Sequence, residues 1–116
     1  MTLRDFYEEI NSDYDEAMKR LMNEGIMKKF VLKFTTDSSY GRLLKAVEAN
    51  NYEEAFESAH TLKGVCQNLG FHNLSEPASV LTDSLRNGNR PQNWNLMEVI
   101  TTEYERTIAA IQRIDA

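Results

Sequence analysis

His60, Lys63 and Gly64 lie close enough in the chain, and are of the right types, to do chemistry together. On a helix, residues three and four apart share a face, and side chains lean toward the N-terminus, so Lys63 and position 64 both lie over the His60 ring. An exposed imidazole is mostly neutral at pH 7, and its ring nitrogen is a competent nucleophile. A neighbouring ammonium suits a ring that is neutral or that acquires negative charge. Phosphorylation would place an anion beside Lys63, which would neutralise the developing charge, while Gly64 leaves the ring open to a partner. A solvent-facing glycine in mid-helix costs about 1 kcal/mol relative to alanine, and nothing on the core side of this pattern requires it.

The helix that must position these residues is read over 51–69. Asn51, with Glu54 three residues later, resembles a capping box, and Gly70 suits a left-handed end. Tyr52, Ala55, Ala59, Leu62, Cys66 and Leu69 recur at threes and fours, a stripe for the interior. His60 projects roughly 135° from the centre of that stripe and is expected in solvent, with Glu53, Phe56, Glu57, Lys63, Gly64 and Gln67 on its side. Phe56 falls between the two faces.

Helical spacing recurs along the rest of the chain, so the fold class is all-α. Thr2 caps a short helix through Leu3, Phe6, Tyr7 and Ile10, and a second carries Tyr14, Ala17, Met18, Leu21 and Met22. After a break at 23–25, Ile26, Met27, Phe30, Val31 and Phe34 form an apolar stripe, and Tyr40, Leu43, Leu44 and Val47 begin another. Asn73 and Ser75 are rival caps for a helix with Leu74, Ala78, Leu81 and Leu85 inside, which leaves His72 in a surface loop. Residues 87–91 are a stop. A last helix runs from about Asn93, with Trp94 at its start and Met97, Ile100, Tyr104, Ile108, Ile111 and Ile114 on one side. Short connections predict an up-down antiparallel four-helix bundle with the short N-terminal helices packed across it. Residues 1–116 are read as one domain with a bundle core over about 23–114.

Composition narrows the function. At 116 residues, 41% hydrophobic and 27% charged, the chain has room for one packed domain. Its single cysteine, Cys66, forms no internal disulfide, so a reducing cytoplasm is expected. Eighteen acidic against thirteen basic residues give a net charge of −5, which disfavours a nucleic-acid partner and suggests a soluble monomer. No apolar run is long enough for a membrane span, and the mixed charges of the first residues do not look like a secretion signal.

The string Ala59-His60-Thr61-Leu62-Lys63-Gly64-Val65-Cys66-Gln67-Asn68-Leu69-Gly70 resembles the histidine phosphotransfer domain of bacterial phosphorelays, whose pattern is H-x-x-K-G with a later glycine. The resemblance implies a four-helix bundle in which His60 accepts a phosphoryl group from an aspartate of one receiver domain and passes it to another. It implies a hybrid sensor kinase and response-regulator receivers as partners, with Phe56, Glu57 and Gln67 as docking residues. It also implies no metal or cofactor on this chain, since Mg²⁺ sits on the receiver, and a phosphocarrier rather than an enzyme. Two departures stand out. Val65 and Cys66 follow the motif where many members have small residues. Thr82 stands where many have a glutamine that holds the imidazole, leaving Thr82 or Ser79 as shorter candidates and Gln67 as a weaker one. An adaptor that binds receivers without accepting phosphate, and an enzyme using His60 as acid or base, are the competing readings.

Overall fold

The computed structural model describes residues 1–90 and 95–115. They form helices α1 (Leu3–Glu9), α2 (Tyr14–Leu21), α3 (Glu24–Lys33), α4 (Ser39–Glu48), α5 (Tyr52–Leu69), α6 (His72–Leu85) and α7 (Asn95–Ile111), with 3₁₀ turns at 34–36 and 86–88. No strand occurs among the described residues, and no helix is long and apolar enough to cross a membrane. α6 ends at Leu85, just before the stop expected over 87–91, of which Pro91 lies outside the described residues, as does the helix start expected at Asn93 and Trp94.

Helices α4 to α7 pack in sequence, α4 on α5, α5 on α6 and α6 on α7. Their short connections make neighbours antiparallel. The ring is closed by Tyr40 of α4, stacked 3.9 Å from Tyr104 of α7, with its hydroxyl donating to Thr101 Oγ1 at 2.9 Å. The N-terminal helices pack across one end of this bundle. Thr2 caps α1 with a full capping box, and Phe6 and Tyr7 bury their rings against Phe71 edge-on or tilted. The Tyr7 hydroxyl donates to the Leu69 carbonyl at 2.6 Å, satisfying an acceptor at the open end of α5. Rings buried this fully contribute roughly 1.5–3 kcal/mol each, so α1 is anchored despite its length.

Several boundaries differ from the sequence reading for identifiable reasons. Neither Asn73 nor Ser75 caps α6. Gly70 closes α5 in a Schellman turn, with the Phe71 amide on the Cys66 carbonyl at 2.8 Å and the Gly70 amide on the Gln67 carbonyl at 3.2 Å. This turn folds Phe71 into the core, and α6 starts at once, with the Ser75 amide on the Phe71 carbonyl at 2.9 Å. Asn73 is drawn instead to Thr107 and Glu103 of α7. His72 is therefore the first residue of α6 rather than a loop residue. The break after α2 is Met22, in the left-handed region at φ 63°, while Asn23 caps α3 and Gly25 lies inside it. On α3 only Met27 and Val31 are buried, followed by Phe34 in the next turn; Ile26 and Phe30 are left 47% and 41% exposed, incompletely covered by the described elements.

Candidate functional site

Helix α5 is held at both ends by local chemistry. Asn51 Oδ1 accepts the Glu54 amide at 3.2 Å, half of the expected capping box. The other half is diverted, because the Glu54 carboxylate takes Arg42 of α4 through Nη2 at 2.6 Å and Nε at 3.1 Å. Ala55, Ala59, Leu62, Cys66 and Leu69 are buried as the stripe predicted, and Tyr52 is half-buried. Burial pushes the Cys66 thiol well above its usual pKa, so it stays a protonated small hydrophobe. The stripe fixes the rotation of α5, and that rotation puts His60 in solvent.

On the outer face, the Phe56 ring lies one turn before His60, the two rings parallel within 6° and 6.0 Å apart. Lys63 is half-buried and Gly64 exposed. A Cβ built at Gly64 meets nothing within 4 Å among the described residues, apart from the backbone of its own helix, so no packing contact there explains the glycine. Gly70 differs: its φ is +73°, and a Cβ there would come within 2.9 Å of Ala17 Cβ on α2. The terminal glycine thus serves the cap and also the close approach of α2. The periodicity of α5 shows only the first of these roles.

His60 stands between two open grooves along α5. One, of about 660 Å³, runs between α2, α5 and α6, with Gly64, Gln67, Ser75, Ser79, Glu16 and Arg20 among its walls. Arg20 donates to the Gln67 carbonyl there, and Glu16 Oε2 lies 2.9 Å from His72 Nε2. The other, of about 770 Å³, lies beside the first turns of α5, with Glu53, Phe56, Glu57, Arg86 and Gly88 in its lining. Ser79 opens into the first groove and stays a candidate contact for the site. Thr82 does not: it is fully buried on the Ala78–Leu81–Leu85 side of α6, and its hydroxyl donates to the Ala78 carbonyl at 2.7 Å. Its i−4 bond commits the donor, so Thr82 belongs to the core.

Arg86 is the residue the sequence reading missed. It follows the last turn of α6, where Asn87 at φ 66° and Gly88 at φ 72° turn the chain against α5. Its guanidinium carbon stands 5.6 Å from the Phe56 ring centroid, and Nη2 pairs with Asp83 Oδ1 at 2.9 Å. A cation after a helix stop gave no local signal of this contact.

Fold and face together describe an all-helical bundle that holds the His60 imidazole exposed on a helix face, outside the lining of either groove, an arrangement suited to exchanging a group with a partner rather than enclosing a substrate. The family model of the Hpt domain matches residues 3–111, and the chain belongs to that family. Membership assigns a general role in phosphorelay histidine phosphotransfer, with receiver domains as the class of partner and a phosphocarrier as the class of activity. No curated protein and no solved structure is matched by the chain.

Proposed function

We propose that His60 is the phosphoacceptor of a phosphorelay carrier. An imidazole nitrogen forms the N–P bond as the P–O bond to a receiver aspartate breaks, the electron pair leaving on the carboxylate. The ring keeps its N–H proton on the other nitrogen. Attack by a second receiver's aspartate reverses the step. Lys63, within one turn, offers an ammonium to the phosphoryl oxygens, and Gly64 leaves the approach clear. Glu57 and Gln67, exposed on either side, with Phe56 between stripe and solvent, form the docking rim for response-regulator receivers, one of them on a hybrid sensor kinase. Mg²⁺ belongs to the receiver in this reading, and the carrier works as a cytoplasmic monomer.

One observation carries the reading: an exposed His60 followed one turn later by a glycine whose missing side chain no packing contact requires. The test is incubation of the full chain with a panel of phosphorylated receiver domains, following acid-labile, base-stable phosphate. Wild type should be labelled and His60→Gln should not. Equal labelling of both would overturn the assignment, and receiver binding without labelling would favour the adaptor.

A further inference from the structure

We propose that Phe56 is a positioning residue for His60, held in place by Arg86; this inference rests on the reading of His60 as the phosphoacceptor. An exposed helical histidine ordinarily samples several orientations. The helix backbone leaves two χ1 wells, and the ring torsion is broadly two-fold, which makes about four orientations. Here the imidazole takes one of them, facing the Phe56 ring. Its plane matches that of Phe56 within 6° at a centroid distance of 6.0 Å, inside the range of offset-stacked aromatic pairs. A parallel stack restricts both torsions at once.

Phe56 is itself braced. It is half-buried between stripe and solvent, and the Arg86 guanidinium stands 5.6 Å from its centroid, within cation–π range. Arg86 is aimed there by its ion pair with Asp83 and by the turn at 86–88, which the structure lays against α5; a Cβ at Gly88 would touch Glu53 Cγ at 3.8 Å. Both partners of the Arg86–Asp83 pair are more than half exposed, so the brace is a weak one and its removal has a smaller effect than loss of the Phe56 ring. The consequence is a nucleophile set by a contact across two elements, with Phe56 acting on transfer even when no receiver is docked.

That last point separates positioning from docking. A small donor such as phosphoramidate needs no docking surface: the imidazole nitrogen bonds to phosphorus as the P–N bond breaks, and the amine leaves as ammonia once protonated from water. Full-length wild type, Phe56→Leu, Phe56→Tyr and Arg86→Gln would be phosphorylated by phosphoramidate and by a phosphorylated receiver, with the His60 ring resonances recorded by NMR. Phe56→Leu should slow phosphoramidate about two- to fourfold, the fraction of orientations lost, should slow the receiver at least as much because Phe56 also lies on the docking rim, and should move the His60 resonances as the neighbouring ring current disappears. Phe56→Tyr should restore both, and Arg86→Gln should give a smaller change in the same direction. Slowing with the receiver alone would leave Phe56 a docking residue only and overturn the proposal, as would unchanged rates and resonances. Failure of wild type with every donor would instead overturn the carrier reading, and the role of the brace with it.

Discussion

The two faces of α5 are built on opposite terms. On the inner face Ala55, Ala59, Leu62 and Cys66 have no exposure, enclosed by the helices packed against α5. On the outer face His60 and Gly64 are exposed, and the contacts to the His60 side come from the Phe56 ring and, through it, Arg86. The two glycines draw the same contrast. Gly70 has a positive φ and Ala17 against it, so its lack of a side chain serves the fold; Gly64 has neither among the described residues, as the proposed access to His60 requires. Stability and chemistry are therefore separable along one helix, and substitutions on each face should move one and spare the other.

The largest separation is expected from Leu62→Ala. Leu62 is fully buried beside the exposed pair, and truncating a buried leucine removes about 2–5 kcal/mol. Chemical denaturation should report that loss while phosphoryl acceptance, measured well below the melting temperature, stays near wild type. An equal fall in both would show that the faces are coupled. Next is Gly70→Ala. The left-handed conformation costs a side chain about 1–2 kcal/mol, and the 2.9 Å approach to Ala17 Cβ forces α2 to move as well, for a total of about 2–3 kcal/mol. Chemical shifts of Ala17 and Arg20 should change; a variant as stable as wild type would remove the argument for a close approach of α2.

Much of this contrast was legible in the sequence, because it rests on periodicity and caps. The stripe of α5, the Thr2 cap, the Gly70 end and the exposure of His60 all follow from residues within a few positions of one another. What was not legible depends on other elements. Asn73 looks like a cap until Thr107 and Glu103 of α7 claim its side chain. Ile26 and Phe30 look like core until the position of the bundle leaves them uncovered. The Ala17 approach to Gly70 and the Arg86 contact with Phe56 join residues far apart in the chain, and no local pattern announces them. Thr82 is the instructive miss: it sits four residues after Ala78, next to Leu81 on the buried stripe, so helical spacing alone could have placed it inward.

A pH titration probes the buried interior, through Cys66 on the inner face of α5 and Tyr7 of α1 against its end. Burial, with a smaller contribution from Tyr14, raises the Tyr7 phenol above its ordinary 10.0, and burial likewise raises the Cys66 thiol above 9.0. For groups raised in the folded state, the contribution to stability is complete below the unfolded pKa and is lost as pH rises toward the folded value. Above about pH 9–10 the unfolded chain releases these protons and the folded one does not. Stability should therefore decline on the alkaline side, by up to about 1.4 kcal/mol per pH unit for each group. Cys66→Ala should remove the earlier part of the decline, beginning near pH 9, and a profile flat to pH 11 in wild type would contradict the burial of both groups.

The smallest expected effect is the one that most sharpens the contrast. Gly64→Ala adds a methyl group where nothing lies within 4 Å, in a helical conformation alanine prefers, so stability should rise by about 0.5–1 kcal/mol. The same methyl narrows the open face beside His60 without touching its ring, so transfer from a bulky receiver should slow, and transfer from a small donor should slow less. Opposite signs in the two measurements would mean that the bundle forgoes stability at this position in order to leave the imidazole accessible. A more stable variant with unchanged transfer would separate Gly64 from access to His60 and leave the glycine without a function on this face. A less stable one would mean that the open space seen beside Gly64 is needed by the fold itself, and the distinction between the two glycines would fail at the residue on which it rests.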